Sequence, residues 1–282
     1  MKNFTNNYWH LCSDELPNDL IFRNDKEYVY GMNSIPLALQ SVKIKIYCFT
    51  LMSNHLHILL SGEKKQAEIF FNKLKQHLGM LLPHSPLRGL KPKLIEVPDE
   101  EAFRTEVAYI MRNCLAAGIC DPYNYKWGTG YLYFNPRIGW TRAVQAKEMS
   151  STNLRNMINS RIHIPDFYLI CDGIILPESY VHYHKVEELF GKPTDLFAMI
   201  RYWNLEQKEV FMTTGVDKEF YDDATVLKKL RDDWGIDNLR KLDIVDRRKK
   251  VPMLRNMLGC SIKQICRIAA LDEITVRRFS PW

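Results

Sequence analysis

Alternation of apolar and polar positions marks short strands in the first third of the chain, and between them the pattern changes to the period of a helix. Tyr8-Trp9-His10-Leu11-Cys12 reads as a first strand. Asn24 to Gln40 predicts a helix, with Asn24 or Asp25 near its cap. From Val42 to Cys48 the period is two: Val42, Ile44, Ile46 and Cys48 fall on one side and Lys43, Lys45 and Tyr47 on the other, as in a half-buried strand. A turn-favouring Ser53-Asn54 pair follows, then His55-Leu56-His57-Ile58-Leu59-Leu60. In an extended backbone this puts His55 and His57 on one face and turns Leu56, Ile58 and Leu60 to the core. Ile69, Phe70, Leu74, Leu78 and Leu81 predict a helix from Lys64 to Leu82, stopped by Pro83. A basic connector, Arg88 to Lys93, leads to a strand at Leu94-Ile95-Glu96-Val97. Pro98-Asp99-Glu100-Glu101 then sets acidic groups at the positive end of a helix dipole, and Gly118 ends that helix. On it, Tyr109 and Asn113 are four apart and share a face. The alternation predicts an α/β (α+β) two-layer sandwich, a sheet covered by helices.

The pattern loosens beyond Phe134-Asn135-Pro136. Short helical segments are expected at Asn153 to Ile162 and Ile170 to Leu176, and His182-Tyr183-His184 offers a second histidine pair in a polar context without a flanking apolar strand. Periodicity returns near the C-terminus, where residues 262–279 read as a helix-turn-helix. Ile265, Ile268 and Ala269 form the buried side of its first helix, Ala270-Leu271 the turn, and Asp272 the cap of a second helix whose Val276 and Phe279 face inward. Glu273, Ile274, Thr275, Arg277 and Arg278 are left for DNA, and Arg247, Arg248, Lys249 and Lys250 stand nearby as candidate phosphate contacts. The plain alternatives are a helical hairpin and a solvated basic face. Three regions follow: 1–135, 136–224 as a connector, and 225–282.

Composition narrows the classes. With 282 residues and 46% hydrophobic content, the chain can bury a large core without staples. Seven cysteines, none in a C-x-x-C pair, imply reduced thiols, with Cys48, Cys114 and Cys266 buried and neither disulfides nor structural zinc. No apolar run reaches membrane-spanning length and no secretory leader is apparent, so a soluble, cytoplasmic protein is expected. The net charge of +6 is modest and does not by itself name a polyanionic partner.

Tyr47-Cys48-Phe49-Thr50-Leu51-Met52-Ser53-Asn54-His55-Leu56-His57-Ile58-Leu59-Leu60, followed by Tyr109-Ile110-Met111-Arg112-Asn113-Cys114-Leu115-Ala116-Ala117-Gly118 and Asp121-Pro122-Tyr123-Asn124-Tyr125-Lys126-Trp127-Gly128-Thr129-Gly130-Tyr131, resembles the single-tyrosine HUH transposases, REP-associated branch. Leu20 to Asp25 echoes the same family. The resemblance implies a ferredoxin-like catalytic domain with an antiparallel sheet, a nucleophilic tyrosine at Tyr109, and a divalent metal, Mg²⁺ or Mn²⁺, on His55, His57 and Asn113. It implies cleavage and rejoining of single-stranded or hairpin DNA through a 5′-phosphotyrosine, with duplex DNA a further partner of the helix-turn-helix. Some relatives act as homodimers, and a DNA-bound enzyme would sit on the nucleoid. Ser53 and Cys114 stand where the family has prolines, and Trp127 to Tyr131 matches its serine-rich segment only loosely.

The residue types suit that chemistry. A phenol can hold a phosphate covalently and later return it, but with an ordinary pKa of about 10 it needs help in polarising the phosphate. No Walker-type Gly-x-x-x-x-Gly-Lys run is present. Two rivals use the same residues: a DNA-binding regulator on an inactive fold, and a metal-dependent nuclease in which water attacks. A bare His-x-His is otherwise a surface pair, and Tyr109 with Asn113 a core tyrosine beside a helix-end amide.

Overall fold

The computed structural model describes residues 7–13, 19–84, 87, 92–138, 142–201, 223–258, 260 and 262–279. Strand β1 (Tyr8–Ser13) leads to helix α1 (Asp25–Leu39), whose Asn24 cap accepts the Glu27 N–H at 3.1 Å. Strands β2 (Lys45–Leu51) and β3 (Leu56–Ser61), helix α2 (Lys64–Leu81), strand β4 (Pro92–Val97) and helix α3 (Glu100–Ala116) follow. Asp99 caps α3 by accepting the Ala102 N–H at 2.8 Å. Gly118, at φ 72°, ends it in the left-handed conformation that glycine adopts at low cost.

The strand order is β2-β3-β1-β4, and each neighbouring pair is antiparallel. Since β1 and β2 both run against β3, they are parallel to one another with β3 between them, which is a split β-α-β unit. All six residues of β3 are buried, so neither face of the sheet can be left to water. Helices α1 and α2 cover one face, packing Tyr28, Met32, Phe70 and Leu74 on Leu11, Ile58 and Leu60. Helix α3 covers the other, packing Phe103, Val107 and Ile110 on Tyr8, Tyr47 and Leu59. The sheet is therefore the middle of three layers, where two were expected. Each fully buried Phe or Ile contributes on the order of 1.5–3 kcal/mol.

Strict alternation over Val42 to Cys48 does not hold. The strand begins at Lys45, and its register on β3 jumps from Ile46↔Leu60 to Cys48↔Leu59, leaving Tyr47 as the extra residue of a β-bulge. Ile46 stays in the α1/α2 core, while Tyr47 and Cys48 both enter the α3 core. The outer edge of β2 is covered: the Leu51 N–H donates to Trp127 O at 2.8 Å, the Thr129 N–H to Phe49 O at 3.0 Å, and Ile46 forms a parallel bridge with Val181.

Residues 142–201 share these cores rather than forming a separate body. Ile158, Ile164, Ile170, Ile175 and Val181 join the α1/α2 side, and Val186, Phe190, Leu196 and Ile200 the α3 side. Here β5 (Val144–Gln145), β6 (Leu169–Cys171) and β7 (Ile174–Ile175) make a small antiparallel sheet; helix α4 (Ser151–Ile158) shares its core, and helix α5 (Tyr183–Phe190) packs on α3 and β2. The helix expected over Ile170 to Leu176 is thus a hairpin. Its Asp172-Gly173 turn has φ 48° and 80°, and isoleucines flank it. Asn33 of α1 pins the hairpin, donating to Gly173 O and accepting from the Ile175 N–H, both at 2.8 Å.

Helices α6 (Asp223–Trp234), α7 (Ile244–Asn256), α8 (Ile262–Ala269) and α9 (Glu273–Phe279) close on a third core that includes Val226, Leu230, Val251, Leu254, Ile265, Ile268 and Val276. Ala270, between α8 and α9, has φ 49°. Phe279 is 37% exposed rather than inward, under the Arg248 guanidinium. No described helix is long and apolar enough to cross a membrane.

Candidate functional site

Helix α3 carries Glu106, Tyr109 and Asn113 at spacings of three and four, so they share one face. That face lies over β1 and β3, and the Thr50 hydroxyl of β2 holds the helix by donating to Ile110 O at 3.0 Å. Antiparallel pairing sets Cys12 opposite His57 and His10 opposite Leu59, so His10 and His57 lean towards one another on the α3 side. His55 precedes β3 in a tight turn in which the Met52 N–H donates to His55 O at 2.8 Å. The Ile21 and Phe22 N–H groups hold this turn from outside, both donating to Ser53 O.

The four residues expected to act together do meet. Ring centroids lie 4.8 Å apart for His55 and His57 and 5.5 Å apart for His57 and Tyr109, and His55 Nε2 is 3.4 Å from Asn113 Oδ1. Tyr109 is 39% exposed while His57 is 6% exposed, so the group runs from the surface inwards. Burial, then the His55 and His10 rings, push the His57 pKa down to about 2, against a smaller opposing effect of the Asn113 side chain. His57 is therefore neutral, the form that donates a lone pair to a cation. The Arg112 guanidinium lies 5.6 Å from the Tyr109 ring centre and brings positive charge to the exposed side.

Three further residues belong here that sequence reasoning missed. His10 Nε2 is 2.9 Å from His57 Nδ1, His10 Nδ1 is 2.8 Å from Glu106 Oε2, and the donor atoms of His10, Cys12 and His57 lie within 4.8 Å of one another. The strand reading of Tyr8 to Cys12 already sets His10 and Cys12 on one face; the register that brings them to His57 is what the sequence leaves open.

The second histidine pair does not converge. His182 lies beside Tyr47, and His184 pairs with Glu187 at 2.9 Å on the surface. Cys48 and Cys114 are deeply buried, which pushes their thiols up to about 11 and about 12.

At the C-terminus the candidate DNA contacts divide. Glu273, Arg277 and Arg278 are exposed on α9, with Arg277 paired to Glu273 at 2.7 Å. The Thr275 hydroxyl is tied to its Asp272 cap at 2.7 Å. Lys249 pairs with Asp246, while Lys250 is half-buried on α7. Arg247 turns inward and donates to Ala269 O and Ala270 O, both at 3.1 Å, capping the end of α8. Asp223 joins the helical unit to the histidine turn: it takes both Arg267 nitrogens, at 3.0 and 3.2 Å, and the Ser53 hydroxyl at 2.5 Å. Ser53 stands where the resembling family has a proline, which has no hydroxyl to offer.

Compared with known proteins, the chain matches no protein-family model, no curated protein and no solved structure.

Proposed function

We propose that this chain is a DNA strand transferase of the single-tyrosine HUH type, acting on single-stranded or hairpin DNA, with a helix-turn-helix unit for duplex contact. The carrying observation is the meeting of Tyr109, His55, His57 and Asn113 on the partly exposed side of α3. The β-α-β-β-α-β order with its antiparallel sheet supports the ferredoxin-like form of such an enzyme. For the C-terminal unit, support comes from the short turn at Ala270 and the exposed Glu273, Ile274, Arg277 and Arg278 on α9.

This reading implies a divalent cation, and the donors fit one. Asn113 Nδ2 donates to Tyr109 O at 2.9 Å and Ile110 O at 3.3 Å, which turns Oδ1 to the histidines. His55 Nδ1 lies 2.9 Å from Asn54 Oδ1, and its Nε2 lies 3.4 Å from Asn113 Oδ1. An imidazole nitrogen and an amide oxygen 3.4 Å apart, with the His57 ring beside them, are donors of types that divalent cations take. Bound by His55, His57 and Asn113, Mg²⁺ or Mn²⁺ would polarise the phosphate and offset its charge.

Tyr109 is the nucleophile. Its phenol oxygen bonds to phosphorus, the bond from phosphorus to the 3′-oxygen breaks, and the phenol proton ends on that oxygen as a 3′-hydroxyl. A 5′-phosphotyrosine remains, and attack by a 3′-hydroxyl returns the strand and restores Tyr109. Bond energy is conserved, so no nucleotide cofactor is needed. Arg112 supplies positive charge beside the ring, where the phosphate must come.

The test is incubation with Mg²⁺ or Mn²⁺ and labelled hairpin DNA from the regions flanking the gene, read as a denaturant-resistant protein–DNA adduct. The adduct is expected for the unmodified chain and absent in Tyr109→Phe. Cleavage that survives Tyr109→Phe would establish hydrolysis by water at the histidines. Tight binding without cleavage would make the protein a regulator on an inactive fold.

A further inference from the structure

We propose that the C-terminal helical unit is a working part of the histidine site: Asp223 and Arg240 are positioning residues that hold the turn at Ser53 and Asn54, and through it the His55 imidazole. The role this gives His55 rests on the reading of His55, His57 and Asn113 as a cation's donor set.

The turn is gripped on two sides. From one side the Ser53 hydroxyl donates to Asp223 Oδ2 at 2.5 Å, and both residues are buried. From the other, Ser53 O accepts the Ile21 N–H at 2.7 Å and the Phe22 N–H at 3.0 Å. Those two amides follow Asp19, whose Oδ1 accepts the Leu20 N–H at 2.8 Å and pairs with Arg240 Nη1 at 2.6 Å. Both grips lead back to a single residue of α8. The Arg267 guanidinium holds Asp223, and the Arg267 carbonyl accepts from Arg240. Ser53, Asp223, Arg267, Arg240 and residues 19–22 thus close a ring that begins and ends at Ser53.

A serine leaves φ free where a proline would fix it, so the stiffness of this turn comes from its partners. Two of them are ionised or backed by an ion pair, and charge-assisted hydrogen bonds are the stronger kind. The turn ends on His55, whose carbonyl accepts the Met52 N–H and whose Nδ1 lies 2.9 Å from Asn54 Oδ1. The other members of the site are held differently. His57 lies within β3, opposite Cys12 of β1, while Tyr109 and Asn113 ride on α3. His55 is therefore the member placed by a turn, and that turn is fastened to a unit with its own core. Movement of the helical unit away from the sheet loosens His55 and leaves His57, Tyr109 and Asn113 where they are.

Ser53→Ala removes the hydroxyl and leaves the Asp223–Arg267 pair intact, so it separates the hold on the turn from the stability of the helical unit. Amide hydrogen exchange over residues 52–56 is expected to lose about 10-fold in protection while α6 and α8 keep theirs. Titration of free Mn²⁺ should show affinity lower by about 10-fold, the small end of the range for losing a group that orients a ligand. Arg240→Gln cuts the second grip from outside the turn and should move protection at 52–56 and Mn²⁺ affinity in the same direction. The proposal is overturned if Ser53→Ala leaves protection at 52–56 unchanged, or if it loosens the turn in a protein whose Mn²⁺ affinity stays the same. It is also overturned if both fall only together with protection in α6 and α8, which would make the loss one of general stability. An unmodified protein that takes up no Mn²⁺ refutes the cation reading; a turn loosened by Ser53→Ala in that protein leaves the grip of the helical unit on His55 standing.

Discussion

Replacing Asp223 by alanine removes one carboxylate and strands two partners. Asp223 is 2% exposed and receives Arg267 through Nε at 3.0 Å and a second guanidinium nitrogen at 3.2 Å, together with the Ser53 hydroxyl. Breaking a buried pair by deleting one partner costs about 3–5 kcal/mol, because the remaining charge is left without compensation. The Arg267 side chain keeps 14% exposure and can recover some hydration, which favours the lower end, about 3 kcal/mol. Most of that loss falls inside the helical unit, where the pair ties α6 to α8; the Ser53 bond is lost from its contact with the first unit, which it also meets through Arg240–Asp19 at 2.6 Å. Amide hydrogen exchange followed by mass spectrometry should therefore show protection in α6 and α8 falling by about 100-fold, the equivalent of about 3 kcal/mol. Adding Arg267→Met to Asp223→Ala should restore most of the loss, since removing both charges spares the unpaired one. An Asp223→Ala loss below about 0.5 kcal/mol, or a double variant no better than the single one, would refute the argument from a buried, uncompensated charge.

Two further changes test strain and protonation. Ala270→Gly should raise stability by about 1 kcal/mol, because a non-glycine residue at φ 49° carries a steric cost that glycine avoids; a thermal midpoint up by about 2–4 °C is expected, and an unchanged or lower one refutes the strain. His77 is buried against the Ser34 hydroxyl at 2.7 Å, and desolvation pushes its pKa down. The unfolded chain therefore takes up the proton first as pH falls below about 6.5, so stability is present above that pH and is lost below it, by at most about 1.4 kcal/mol per pH unit. Urea unfolding from pH 7.5 to 5 should show that slope reduced in His77→Gln, and an unchanged slope would assign it elsewhere.

What is legible in the sequence divides by range of interaction. Helix ends at Asn24, Asp99 and Gly118 are local chemistry, and the structure has them there. His55 with His57 and Tyr109 with Asn113 are short-range pairs whose shared faces follow from the strand and helix periods. His10 and Glu106 escape because their place depends on strand register and on which sheet face α3 covers, neither of which periodicity contains. The bulge at Tyr47 is hidden for a related reason: Tyr47 and Cys48 can both be buried, so an extra residue leaves no break in apolar character. Arg247 looks like its basic neighbours until Ala269 and Ala270 are seen to need a donor. The Asp172-Gly173 turn, by contrast, was legible, since that dipeptide between isoleucines favours a hairpin over a helix.

The strap from Trp127 to Thr129 and the bridge at Val181 have an effect beyond holding β2. Together they seal one rim of the main sheet, using hydrogen bonds that an incoming strand would need. At the opposite rim, among the described residues, β4 pairs only with β1. Pro92 at its start offers no N–H, and Ile95 is 38% exposed. Among the described residues the edge open to lengthening is therefore that of β4: a strand supplied by a peptide, or by a second molecule of the same protein, would land there, with β1 and β3 between its landing place and β2.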